Sequence, residues 1–201
     1  MSSPVFAAAL ALDFPPESSD NAGTVSVERE LIARALDGDG RAFASLVEPH
    51  LAMLFRIAAR ACGDRALAED AVQEALTIGY EQLGRYQPDT SLKAFLAAIA
   101  VRKAHTLLRT ERRRRAREDA SAAPEALPDP AELLAAEQTA ERIRVALAAM
   151  PKKRREAALL RLDAGMSYDE IARAVGSTEG STRVLVHLAL KELRERLGEE
   201  P

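Results

Sequence analysis

The chain of 201 residues has no tryptophan, only 4% aromatic residues and a single cysteine, Cys62. A lone cysteine excludes an intramolecular disulfide and suits a reducing cytoplasm. His50, His105 and His187 lie far apart, with no Cys or His at ligand spacing, so neither a metal nor another cofactor is expected. Strand signatures, the alternating runs of Val, Ile, Thr and Tyr, are missing. Long apolar runs are scarce as well. "VFAAALAL", from Val5 to Leu12, is too short to cross a bilayer, follows no Lys or Arg, and stops at Asp13. It is therefore neither a membrane anchor nor a signal peptide, and no membrane insertion is expected. With Pro15, Pro16, Ser18, Ser19 and Asp20 after it, residues 1–26 read as a mostly disordered leader. A Gly-rich phosphate loop and a nucleophile–base pattern are also absent, which argues against an enzyme.

What is present favours helix. Alanine and leucine dominate a composition that is 47% hydrophobic, and the fold class expected is all-α. The net charge of −3 conceals strong segregation. Arg102, Lys103, Arg109, Arg112 to Arg115 and Arg117 face Glu111 alone. From Glu118 to Glu141 the charges are all acidic, and a second basic cluster follows at Lys152, Lys153, Arg154 and Arg155. The acidic stretch holds Pro124, Pro128 and Pro130, each lacking an amide donor, so a helix is not expected to cross it. Two helical domains follow from this reading, at 27–117 and 132–198, joined by a flexible acidic linker at 118–131.

In the first domain Leu31, Ile32, Ala35 and Leu36 mark one amphipathic helix. A second runs from Phe43 to Gly63, a third from Arg65 to Leu83, and a fourth from Leu92 into the arginines. In the second domain Ser167 and Glu170 form a capping-box pattern ahead of Ile171, Ala172 and Val175. Gly176 stops that helix, and a longer one carries Val186, Leu190, Leu193 and Leu197 on one face. Two helices about a short Gly-containing turn predict a helix-turn-helix.

Four stretches together resemble the extracytoplasmic-function (ECF) sigma factors of bacterial RNA polymerase, in that family's order and spacing. They are "GDGRAFASLVEPH" (38–50), "AEDAVQEAL" (68–76), "LGRYQPDTSLKAFLAAIAVRKAHTLLR" (83–109) and "MSYDEIARAVGSTEGSTRVLVHLALKEL" (166–193). The resemblance implies a region 2 bundle and a region 4 helix-turn-helix, with core RNA polymerase, promoter DNA and an anti-sigma factor as partners in the cytoplasm. It also implies promoter recognition, DNA melting and transcription initiation without catalysis by the chain itself.

By the same resemblance Glu69, Asp70, Gln73 and Glu74 dock on the polymerase, although a solvated helix face would read alike. Tyr86 and Gln87 fall in the loop that captures a flipped base of the −10 element; Tyr86 could equally plug the core. Lys103, Arg109, Arg112 and Arg113 would bind DNA backbone. Thr178, Glu179, Ser181, Thr182, Arg183 and His187 would meet the −35 element. The chain departs from the family pattern at Val101, Arg102 and His105, and its recognition helix has Leu185, Leu188 and Leu190 where basic residues are common. Those leucines either pack on neighbouring helices or form a surface for a partner. A sigma mimic that binds an anti-sigma factor without touching DNA is the alternative, favoured only if both basic patches were lost.

Overall fold

Polar caps and one proline decide where the helices start and stop. The computed structural model describes residues 22–86, 91–118 and 135–197. The first bundle comprises α1 (Ala22–Leu36), α2 (Gly40–Val47), α3 (Leu51–Cys62), α4 (Arg65–Glu81) and α5 (Leu92–Glu118). The second comprises α6 (Ala135–Ala149), α7 (Lys152–Leu162), α8 (Tyr168–Val175) and α9 (Glu179–Leu197). No strand occurs among the described residues, in keeping with the all-α expectation. The leader expected at 1–26 lies outside the described residues as far as Asn21, whereas Ala22 to Ser26 already belong to α1. The linker expected at 118–131 also lies outside them, apart from Glu118.

Asp39 caps α2 by accepting from the Arg41 and Ala42 amides, and Arg34 pairs with the same carboxylate at 2.6 Å. The single helix expected from Phe43 to Gly63 is in fact two. Pro49 has no amide hydrogen to continue the ladder, so Glu48–His50 form a 3-10 turn between α2 and α3. Gly40–Cys62 is the one stretch among the described residues long and apolar enough to cross a membrane. It is interrupted at this proline, and its Leu46, Val47, Leu54 and Ile57 side chains fill the core.

Helix α4 buries the small residues Ala68, Ala71, Ala75 and Gly79. A Cβ on Gly79 would stand 2.8 Å from Leu96 Cδ2, so glycine is what lets α4 lie this close to α5. Cys62 is buried nearby with its Sγ 3.5 Å from the Ala104 carbonyl. Burial, with the charge of Asp64 second, pushes its thiol up to about 11, so it packs rather than reacts.

In the second bundle Ser167 accepts from the Glu170 amide, and Glu170 accepts from the Ser167 amide at 2.8 Å, completing the capping box. Gly176 ends α8 with φ of 62°. The two bundles do not stand apart. Helix α5 lies against α7 and α8, α3 lies against α6 and α7, and one apolar core runs through both bundles.

Candidate nucleic-acid interface

The buried alanine stripe of α4 determines what its other side presents. Because Ala68, Ala71 and Ala75 face inward, Glu69, Asp70, Gln73 and Glu74 all emerge on solvent, within two turns of one helix. Arg65 pairs with Glu69 at 2.9 Å, a local contact one turn away. Glu74 is different: its Oε2 accepts from Lys103 Nζ of α5 at 2.9 Å. The acid face and the cationic helix are thus joined by one ion pair. Lys103, expected on DNA phosphate, is engaged with protein here.

Along α5 the arginines divide into two sets. Arg114 and Arg115 both donate to Glu111, and these bonds, Arg114 first, hold its carboxyl down at about 2. Arg109, Arg112 and Arg113 have no acidic partner among the described residues and remain available to an anion. Tyr86 is half-buried, with its ring 5.7 Å from that of Phe95 and its hydroxyl donating to Glu28 at 3.3 Å. In this structure it closes the edge of the core. Gln87 lies outside the described residues.

At the start of α9, Thr178 Oγ1 accepts from the Ser181 amide and caps the helix. Glu179 and Arg183 pair at 2.7 Å, and the Arg183 guanidinium sits 4.9 Å from the Tyr168 ring centre. Thr178, Glu179, Ser181, Arg183 and His187 are exposed and lie together at this end. Thr182 does not join them. It is 0% exposed, in register with the buried Val186, Ala189 and Leu193, so it cannot reach a base. This corrects the sequence-based expectation. The inward stripe of α9 extends back through Thr182, and its phase shifts from Leu190 to Ala189. Leu185 is half-buried against the core, whereas Val184 and Leu188 are 57% and 38% exposed.

Helix α5 is also covered from the far side. Ser91 Oγ donates to Glu170 at 2.8 Å, and Arg102 donates to the Ala174 carbonyl at 3.1 Å. Arg155 Nε donates to His105 Nε2 at 3.0 Å, while His105 Nδ1 faces Glu156 Oε1 at 3.1 Å. The ring is thus held between a guanidinium and a carboxylate of the second bundle. Burial alone would raise the Glu156 carboxyl, but the bonds and charges of His105 and Lys152 together outweigh it and hold the group below its usual range. On α3, Arg56 and Arg60 reach Asp163 at 3.3 and 2.9 Å.

Sequence reasoning does not reach this interdomain set. Its members carry no spacing signal, although Arg155 belongs to the second basic cluster and His105 is a departure from the family pattern.

Comparison with known proteins agrees with this architecture. The family model for sigma-70 region 2 matches residues 46–114, and that for sigma-70 region 4 matches residues 140–193. RNA polymerase sigma factor CarQ of Myxococcus xanthus is 32% identical over 169 residues, covering 83% of this chain and 95% of CarQ. ECF RNA polymerase sigma factor SigD of Mycobacterium tuberculosis is 30% identical over 179 residues, covering 83% of this chain and 82% of SigD. Among solved structures, CnrH in complex with the cytosolic domain of CnrY superposes with a TM-score of 0.65 at 23% identity. That match covers 87% of this chain and 99% of CnrH. RpoE of Bartonella quintana, solved with the anti-sigma factor NepR, gives 0.61 at 23% identity over 79% of this chain and 98% of RpoE.

The chain belongs to the sigma-70-type family of RNA polymerase sigma factors, within its ECF group. It is a transcription initiation factor that binds core polymerase and directs it to promoters.

Proposed function

We propose that the α4 acid face, Glu69, Asp70, Gln73 and Glu74, is the surface that docks on core polymerase. The observation that carries this is the buried Ala68–Ala71–Ala75–Gly79 stripe, which turns all four polar side chains outward together. Arg109, Arg112 and Arg113 bind backbone phosphate around the −10 element, joined by Lys103 once Glu74 is taken by polymerase. Tyr86 and Gln87 meet the −10 element. Thr178, Glu179, Ser181, Arg183 and His187 meet the −35 element from the exposed start of α9.

The docked arrangement is the idle form. Contacts from Ser91, Arg102 and His105 to the second bundle hold it against one side of α5, so the domains at 27–117 and 132–198 must separate before promoter DNA reaches that side. An anti-sigma factor is a partner, as NepR is for RpoE, and the exposed Val184 and Leu188 offer it an apolar patch. The protein works in the cytoplasm and contributes no catalytic step of its own.

Run-off transcription with purified core polymerase on the promoter of its own gene tests this reading. Asp70→Arg/Glu74→Arg should abolish initiation by lowering polymerase affinity. Arg112→Glu/Arg113→Glu should spare polymerase binding and fail at open-complex formation. If both variants initiate like the parent chain, the assignment of these surfaces is wrong.

A further inference from the structure

Between α5 and α7 lies a cleft of about 400 Å³ lined by His105, Thr106, Arg109, Arg112, Arg113, Lys152 and Arg155. We infer that this cleft is a binding site for a small polyphosphate anion, such as a nucleoside polyphosphate or a short inorganic polyphosphate chain, which bridges the two domains.

Three observations carry the inference. The lining is cationic: it holds five Arg and Lys side chains and, among the described residues, no Asp or Glu, while the adjoining Glu156 places its Oε1 3.1 Å from His105 and 3.6 Å from Lys152. The cluster is also built rather than loose. Arg155 is half-buried and fixed by bonds to His105 Nε2 at 3.0 Å and the Ala148 carbonyl at 3.3 Å. Burial and then the charge of Arg112 both disfavour its protonated form, which is the crowding that a bound anion relieves. Lastly, Lys152 and Arg155 belong to the first turn of α7, which has no side-chain cap and whose dipole favours negative charge.

The volume lies in the range of small-molecule sites, about 300–1,000 Å³, and two helices wall it. Nucleic-acid duplex presents its phosphates along an open face and fits such a cleft poorly. Several adjacent phosphates on one small ligand match five cations contributed from two sides.

The lining comes from both domains, so a ligand here binds only the docked state and populates it by mass action. It also occupies Arg109, Arg112 and Arg113, the groups proposed above for promoter phosphate, and would restrain initiation. That consequence rests on the promoter reading; the binding itself does not.

The test is calorimetric titration of the full chain with sodium tripolyphosphate in magnesium-free buffer at fixed ionic strength. Guanosine triphosphate forms a second arm, and whichever arm binds more tightly names the source. Lys152 is 67% exposed, yet Lys152→Glu sets a carboxylate one turn from Glu156, so circular dichroism would first verify that the variant folds. Lys152→Glu and Arg112→Glu should each weaken binding by about tenfold or more, as expected for losing a charge-assisted hydrogen bond. Arg117→Glu makes the same charge change on α5 outside the cleft and should alter affinity by no more than about twofold. Equal weakening by all three variants means diffuse attraction to a basic helix and overturns the site. Unchanged binding in Lys152→Glu overturns its two-domain character, and no binding by the parent chain overturns the whole inference.

Discussion

Removing Arg60 should loosen the docked state more than removing the charge it neutralises. Asp163 is 2% exposed by side chain and belongs to the second bundle. Its Oδ1 is met from the first bundle by Arg60 Nη1 at 2.9 Å and by Arg56 Nε at 3.3 Å. Its Oδ2 is buried with no partner among the described residues. Burial pushes the carboxyl above its usual range, and the two guanidinium charges pull it back only in part. Arg60→Ala therefore leaves a buried carboxylate with one partner fewer. Losing one hydrogen bond to a charged group costs about 2 kcal/mol, or about 30-fold in the docking equilibrium. Asp163→Asn removes the charge that burial penalises and can still accept from Arg60. It should lie within about 1 kcal/mol of the parent.

The pH dependence has a definite sign. A carboxyl whose folded value is raised binds more protons folded than unfolded throughout the window above its ordinary value of 3.8. Stability falls as pH climbs through that window, and the ionised group carries the full penalty above it. Arg60→Ala widens the window, so its penalty should be larger at about pH 7.5 than at about pH 4.5. Urea titrations at both pH values would measure stability, and energy transfer between dyes at Glu81→Cys and Lys191→Cys, two exposed positions, would report docking. An Asp163→Asn penalty as large as that of Arg60→Ala would refute the reasoning, as would an Arg60→Ala penalty independent of pH.

The remaining predictions concern single surfaces. Asp70→Arg/Glu74→Arg should weaken core-polymerase affinity at least about tenfold in a fluorescence titration, yet change stability by less than about 1 kcal/mol because both sites are exposed. Thr182→Val should raise stability by about 1 kcal/mol in a urea titration, since Thr182 Oγ1 is buried without a partner among the described residues, and should leave −35 preference unchanged in a duplex-binding assay. Glu111→Gln should loosen the hold on Arg114 and Arg115, although Arg115 still reaches Asp64 at 3.9 Å, and steepen the salt dependence of single-strand binding by up to about 0.7 log units for each further phosphate neutralised. Because the Glu111 carboxyl is held at about 2, the parent chain should show no such steepening until pH falls toward that value. Leu188→Arg should be tolerated and Leu185→Arg should lower the melting temperature, because only Leu185 packs on the core.

How much of this is legible in the sequence depends on how local the cause is. The capping box of Ser167 and Glu170, the stop at Gly176 and the acid face of α4 all follow from residues within one or two turns, and each appears where the pattern puts it. Pro49 is equally local, yet the apolar periodicity on either side of it is nearly in phase and reads as one helix. Thr182 misleads for a related reason. Its polarity suggests the outer face, while counting back four residues from Val186 puts it on the inner one. The docking of the two bundles is not legible at all. Arg56 and Asp163 lie 107 positions apart, and His105 and Glu156 lie 51 apart. No periodicity records such pairings.

That blind spot bears on function, because the hidden contacts fall on the helix whose motif is easiest to read. Helix α5 spends Lys103 on Glu74, Arg102 on the Ala174 carbonyl and His105 on Glu156. A sequence motif assigns cations to DNA one by one; the folded chain first pairs several of them with its own acids and carbonyls. Polymerase binding at Glu74 would release Lys103, and separation of the bundles would release Arg102. The cationic face proposed for promoter DNA would therefore be assembled in steps, each tied to loss of a particular contact, with Arg109, Arg112 and Arg113 available from the outset.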